Sequence, residues 1–250
     1  MDFIEEEKML RSKPLITLAV TLFCMIIASA AWSAEFVNLS AQELNTRMQN
    51  GEKLLVIDPL SDLEYNEGHI PGSVNIPFHL LATTDQLPAD KAVAIVTYCL
   101  GPKCVFYKQS AERLAELGYT NVMTFKAGLP GWIKAGYPVE QTGALEKTKI
   151  QTMNVDELKA GLDGVVIVDV RPPSLYEMGW IPGSVKIPLG LLTAEYTQIP
   201  KGKRVVVVVD HAGKQVLTAG RFLASNGYGE VKRLQGGLMA WSQKGYPLER

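Results

Sequence analysis

Two cysteines near the middle of the chain lie in a setting that suits sulfur chemistry. Cys99 follows the apolar run AVAIVTY, and the loop CLGPKC ends at Cys104, before an amphipathic segment that we predict to be a helix. Successive backbone N–H groups and the positive end of that helix favour the thiolate, lowering its pKa from about 8.5. Gly101 permits a tight turn, and Lys103 adds a positive charge. The loop therefore predicts a nucleophilic Cys99 and a cradle for an anion on or near its sulfur.

The elements that position this loop occur twice in the 250 residues. LVIDPLSDLEYNEGHIPGSVNIP, from Leu55, matches VIVDVRPPSLYEMGWIPGSVKIP, from Val166, at an offset of 111. Matches this dense indicate a tandem duplication. We predict one domain over residues 35–140, a linker over 141–152 and a second domain over 153–250.

Each repeat shows the same order of predicted elements. Ser40 with Glu43, and Asn154 with Glu157, have the spacing of capping boxes that open a short helix. Apolar runs that are uniform rather than alternating follow, as expected for parallel strands covered on both faces. Strand and helix then alternate. The pattern predicts an α/β fold in which each repeat is a small, mostly parallel sheet flanked by helices.

These motifs together resemble the rhodanese (sulfurtransferase) family. They are the Asp after the first strand, the segment EYNEGHIPGSVNIP, the cysteine loop between strand and helix, and a Gly-rich turn with Trp before GYP. The resemblance implies two tandem rhodanese-like domains. It also implies that Cys99 takes sulfane sulfur from a donor anion such as thiosulfate, holds it as a persulfide and passes it to a thiol, cyanide or protein acceptor. Residues Leu100, Gly101, Lys103 and Cys104 would then bind the donor.

The second repeat departs from this pattern at the position that matters most. Its aligned loop runs from Asp210 to Gln215, and an aspartate cannot form a persulfide. Asp210 and His211 without further ligands are weak support for a metal or hydrolytic site. We therefore expect a catalytically inactive second copy. Because Asp58 and Asp169 occur in both copies, we interpret them as structural residues that hydrogen-bond loop amides.

Other functions remain open at this stage. Cys99 and Cys104 could form a disulfide and act in thiol–disulfide exchange, or Cys104 could be a resolving thiol that discharges a Cys99 persulfide. A non-catalytic rhodanese-like binding module is a third interpretation. A protein phosphatase is excluded, because Val105 stands where that chemistry needs an arginine.

The N-terminus and the composition bear on location and partners. Arg11 and Lys13, the apolar stretch 15–31 and the small residues before position 35 are typical of a signal peptide over residues 1–34, which predicts export, to the periplasm in a Gram-negative source. The alternative is a membrane anchor formed by residues 15–31. With 25 basic and 26 acidic residues, the charge gives no reason to expect nucleic acid as a partner. No cofactor or metal motif is visible.

Overall fold

A computed structural model describes residues 35–202, 205–210 and 215–250. Within it, Phe36–Arg250 form one compact unit that contains both repeats. The predicted signal peptide or anchor, residues 1–34, lies outside the described residues. Over the ranges that are described, no helix combines the length and apolar character needed to cross a membrane.

In the part of the chain that the structure describes, ten strands form two five-stranded sheets, one in each repeat. They are β1 (Val37–Asn38), β2 (Leu54–Asp58), β3 (Val74–Asn75), β4 (Ala94–Tyr98), β5 (Val122–Phe125), β6 (Gln151–Met153), β7 (Val165–Asp169), β8 (Val185–Lys186), β9 (Val205–Val209) and β10 (Val231–Leu234). The strand order is β1-β5-β4-β2-β3 in the first sheet and β6-β10-β9-β7-β8 in the second, and all pairs are parallel. The equivalent order in both sheets agrees with the duplication read from the sequence.

Eight α-helices of the described chain surround these sheets. They are α1 (Ala41–Gln49), α2 (Asp62–Glu67), α3 (Phe106–Glu116), α4 (Gly128–Lys134), α5 (Val155–Ala160), α6 (Leu192–Glu195), α7 (Val216–Ser225) and α8 (Gly237–Gln243). Short 3₁₀ turns complete the connections at Phe78–Leu80, Leu162–Gly164, Pro173–Met178, Leu189–Leu191 and Tyr196–Gln198.

The local signals in the sequence act as predicted. Both capping boxes are formed at the starts of α1 and α5, where the N-cap side chain accepts from the third helical amide. Every residue of β4 is buried, and so are four of the five in β9, because helices cover the central strands from both sides. The α/β fold class, with two mostly parallel sheets flanked by helices, is confirmed.

Helix α2 of the first repeat packs against α7 of the second. Leu63 is buried in the apolar cluster that contains Val216 and Ala219. At the edge of this contact, a carboxylate oxygen of Glu67 lies 3.3 Å from Thr218 Oγ1 and the other lies 3.6 Å from an Arg221 nitrogen. Since the Glu67–Arg221 pair is partly exposed, burial of Leu63 is the main stabilising contribution here.

The connection between the repeats is attached to the first repeat at its start. The Thr142 amide donates to Asn66 O at 3.2 Å, and the Thr142 hydroxyl donates to Asn66 Oδ1 at 2.6 Å. Strand β6 then begins at Gln151 and pairs with β10. The last two residues of the predicted linker, 141–152, therefore belong to the second sheet.

Candidate active site

The cysteine loop lies at the carboxyl end of the central strand of the first sheet. Strand β4 is flanked by β2 and β5, and Cys99 follows it directly. The Thr97 hydroxyl donates to Tyr107 O at 2.6 Å, which ties the end of the strand to the first turn of α3. Ligands of parallel α/β sheets bind at this edge, beyond the carboxyl ends of the strands.

The two cysteines of the loop are joined in a disulfide. Their Cα atoms are 6.2 Å apart, a separation that a disulfide spans without distortion of the backbone. Cys99 is fully buried, whereas Cys104 is partly exposed. The structure therefore contains the disulfide that the sequence left open, and the Cys99 sulfur is the less accessible of the two.

Only part of the loop backbone remains available to an anion. Pro102 has no N–H, and the Cys104 amide donates to Gly101 O at 3.0 Å in a turn that holds Gly101 at a φ of +106°. Within the described residues, the amides of Leu100, Gly101 and Lys103 donate to no other backbone group. The cradle expected from the whole stretch Leu100–Cys104 is thus limited to at most these three amides in the disulfide form.

The first residues of α4 pack against the cysteine loop. The Leu129 amide donates to Cys99 O at 2.9 Å. Gly128 has a φ of +59°, and a Cβ atom placed on it would lie 2.6 Å from the amide nitrogen of Gly101. Because the two backbones approach this closely, only glycine fits at position 128.

The outer side of the loop is open to solvent. Leu100 is 50% exposed, Val105 is 58% exposed and Lys103 is also exposed. The loop therefore presents a positive charge between two apolar side chains, a surface that both a small anion and a protein could contact.

In the second repeat the equivalent position supports a helix instead. Asp210 is buried, and its carboxylate accepts a 2.5 Å hydrogen bond from the Gln215 amide at the start of α7. The loop residues 211–214, including His211, lie outside the described residues. Across the described ranges, no group of three or more His, Cys, Asp and Glu side chains is placed to hold a metal ion.

Comparison with protein families agrees with this duplicated architecture. The rhodanese-like domain matches residues 40–135 and again residues 154–244. The chain belongs to the rhodanese-like family. Its two repeats are tandem rhodanese-like domains, the first with Cys99 and the second with Asp210 at the equivalent position.

Several relatives are sulfurtransferases by name. A sulfurtransferase of Allochromatium vinosum is 31% identical over 100 residues, which cover 40% of this chain and 92% of that protein. Thiosulfate sulfurtransferase GlpE of Pseudoalteromonas translucida is 29% identical over 79 residues, covering 32% of this chain and 74% of that one. The solved thiosulfate sulfurtransferase of Pseudomonas aeruginosa is 21% identical, with a TM-score of 0.40, and the match covers 86% of this chain and 44% of that chain.

The two rhodanese-like domains differ beside the cysteine loop, at the aspartates that end β2 and β7. Each accepts a hydrogen bond from the amide two residues later, Leu60 or Arg171, which confirms the structural role expected for them. Asp169 is also paired with the Arg171 guanidinium, whose Nε lies 2.8 Å from Oδ1 and whose NH2 donates to Gly179 O at 2.8 Å. Arg171 was not predicted from the sequence, although alignment of the repeats at an offset of 111 sets it opposite Leu60.

Within the described part of the chain, Asp58 in the first domain has no cationic partner. Its Oδ2 is buried and accepts no hydrogen bond of standard geometry, although the Tyr98 hydroxyl lies close enough to stabilise the carboxylate in part. Burial raises the pKa of Asp58 to about 7, and the hydroxyl of Tyr98 and the amide of Leu60 oppose that rise only in part. The Tyr98 hydroxyl is itself held by the Ile70 amide at 3.2 Å and by Ser73 Oγ at 3.1 Å.

His69 stabilises a turn in the first domain. It is buried, its ring stacks on Tyr65 with centroids 3.7 Å apart, and its Nδ1 lies 2.9 Å from Tyr65 O. The backbone of His69 also pairs with Glu140, as that of Trp180 pairs with Glu249 in the second domain. Equivalent pairing in both domains indicates a structural position.

A mostly apolar cavity of about 270 Å³ lies between the two domains. It is lined by loops that follow the strands of both sheets, with Phe78 and Phe106 on one side and Leu189 and Gln215 on the other. Neither cysteine is among the described residues that line it, although Phe106 lies two residues after Cys104.

Proposed function

We propose that this chain is an exported sulfurtransferase that moves sulfane sulfur from a donor such as thiosulfate to a thiol, cyanide or protein acceptor through a persulfide on Cys99. The observation that carries the proposal is the position of Cys99, at the end of a fully buried central strand and immediately before the loop that leads into α3. Membership of the rhodanese-like family and the names of its relatives support the same reaction class.

The reaction consists of two displacements at sulfur. The reduced Cys99 thiolate attacks the outer sulfur of thiosulfate, the S–S bond breaks and sulfite leaves with the electron pair. An acceptor thiolate then attacks the outer sulfur of the Cys99 persulfide, and Cys99 leaves as the thiolate. The amides of Leu100 and Gly101 and the charge of Lys103 stabilise the anions that form at each step.

The disulfide places a condition on this activity. While Cys99 is bonded to Cys104, it has no thiolate that could attack a donor. Sulfur transfer therefore requires prior reduction by a thiol. We expect the oxidised protein to release no sulfite from thiosulfate and the reduced, desalted protein to release it.

The test compares Cys99→Ser with Asp210→Asn, the equivalent position in the second domain. We expect Cys99→Ser to abolish sulfite release and Asp210→Asn to leave it at the wild-type level, because an asparagine Oδ1 still accepts from the Gln215 amide. Sulfite is measured after addition of thiosulfate to each reduced protein. An active Cys99→Ser variant would contradict the proposal.

The disulfide favours a second candidate, a thiol–disulfide redox protein that uses Cys99 and Cys104 without sulfane sulfur. Such a protein would exchange with substrate thiols in the absence of any sulfur donor. Reduced protein that gives no sulfite from thiosulfate, yet reduces a model disulfide at a rate that Cys99→Ser lowers, would support this candidate over the sulfurtransferase.

Export is the remaining part of the proposal. It is supported by the order of basic, apolar and small residues over 1–34. We expect the mature chain to begin near position 35 and to be released with the periplasmic fraction of a Gram-negative host. Recovery of a full-length chain in the membrane fraction would instead indicate an anchor formed by residues 15–31.

A further inference from the structure

The second cysteine of the loop, Cys104, lies close enough to Cys99 to form a bond with it. Sulfur transfer alone does not require a second thiol at this position. Cys104 is bonded to the sulfur of Cys99, the atom that would carry the persulfide. In the second domain, Asp210 aligns with Cys99 and Gln215 aligns with Cys104. The first domain thus has a second thiol within bonding distance of its proposed nucleophile. The second domain has neither of the two cysteines.

The burial of the two sulfurs gives them different roles. Cys99 is fully buried in the disulfide form, so its Sγ is reached more readily by Cys104 than by a thiol from solvent. Cys104 is partly exposed and lies next to the exposed Val105. Attack from solvent is therefore easier at Cys104, while attack on Cys99 is easiest from Cys104 itself.

We propose that Cys104 resolves the Cys99 persulfide and makes the chain a sulfide-releasing thiosulfate reductase. This inference rests on the proposed function. The Cys104 thiolate attacks the Cys99 Sγ, the bond from Sγ to the outer sulfur breaks, and the outer sulfur leaves as hydrosulfide. The product is the disulfide present in the structure. The balanced sum is one thiosulfate and two thiols giving one sulfite, one hydrogen sulfide and one disulfide.

An external dithiol completes the cycle. Its thiolate attacks the accessible sulfur of Cys104, Cys99 leaves as a thiolate, and the second thiol of the reductant displaces Cys104 as its own disulfide forms. The leaving thiolate of Cys99 is stabilised by the loop amides and the start of α3. The two electrons that reduce the outer sulfur to sulfide therefore enter the protein at Cys104.

A single-turnover experiment on the reduced, desalted mature protein tests this assignment. Equimolar thiosulfate is added without any other thiol, sulfite and sulfide are measured, and the intact mass is recorded. For wild type we expect equal amounts of sulfite and sulfide and a chain two hydrogens lighter than the reduced form. The Cys104 amide already donates to Gly101 O and is unchanged by substitution of the side chain, so Cys104→Ser keeps the three amides left to bind the donor. For this variant we expect sulfite without sulfide and a mass gain of one sulfur atom that a dithiol removes.

The outcomes separate this inference from the proposed function. Wild type that releases sulfite but retains the sulfur atom, with no more sulfide than Cys104→Ser, would overturn the resolving role and leave the sulfurtransferase intact. Absence of sulfite from wild type would overturn both. Cys104→Ala serves as a second variant, and sulfite release by either variant shows that the loop is folded. The expected loss of sulfide in both variants is at least tenfold.

Discussion

The contrast between Asp58 and Asp169 leads to a prediction about the dependence of stability on pH. Both carboxylates are buried at equivalent strand ends, but Asp169 is paired with Arg171 and Asp58 faces Leu60 at that position. The pKa of Asp58 is raised from 3.8 to about 7, mainly by burial. The folded chain therefore holds a proton that the unfolded chain releases at lower pH.

The direction and size of the effect follow from this difference. Below pH 4 both states bind the proton, so Asp58 has no effect on the free energy of unfolding. Between pH 4 and pH 7 the folded state binds more protons than the unfolded state, and stability falls as pH rises. A gap of roughly 3 pH units at 1.4 kcal/mol each corresponds to about 4 kcal/mol, all of it lost above pH 7.

Asp58→Asn removes this penalty, because the amide is neutral and its Oδ1 still accepts from Leu60 N. We expect the variant to match wild type near pH 4 and to be more stable at pH 8, by up to about 4 kcal/mol. Asp169→Asn is the matched control. It leaves Arg171 buried without a countercharge, and we expect its free energy of unfolding at pH 8 to be about 3–5 kcal/mol lower than that of wild type.

The assay is urea unfolding of each protein at pH 4, 6 and 8, followed by tryptophan fluorescence. Trp132 in the first domain and Trp241 in the second are both buried and report on their own domains. A variant Asp58→Asn that is less stable than wild type at pH 8 would refute the reasoning. So would a stability that rises from pH 6 to pH 8 in wild type but does not rise in Asp58→Asn.

Two further predictions concern packing. Gly128→Ala should lower the free energy of unfolding by well over 2 kcal/mol and remove most sulfite release, because the added Cβ would meet the backbone of the cysteine loop. Gly118 has a φ of +89° but open space around it, so Gly118→Ala should lower the free energy of unfolding by about 1 kcal/mol and keep activity. Urea midpoints and sulfite assays compare the two, and equal losses would contradict the close approach. Leu63→Ala should lower the free energy of unfolding by about 2–5 kcal/mol, and Glu67→Gln should lower it by less than about 1 kcal/mol. Only Leu63 is buried between the domains. A larger effect at Glu67 in the same unfolding assay would count against an apolar interface.

The sequence by itself determined the fold and the position of the cysteine loop within it. Helix caps such as Ser40–Glu43, uniformly apolar strands and the repeat at an offset of 111 are local patterns, and each acts over a few residues of backbone. They also set the cysteine loop at the carboxyl end of a central strand, because a parallel sheet leaves few other arrangements.

The tertiary structure decided the state and surroundings of that loop. Four features of the loop come from the structure. They are the bond between Cys99 and Cys104, the burial of one sulfur and not the other, the use of the Cys104 amide inside the turn and the close approach of Gly128. The burial of Asp58 and the packing of Leu63 against the other domain depend on side chains far apart in sequence. Burial and distance decide these features, and both are set only when the whole chain has packed, so no local pattern of residue types could specify them.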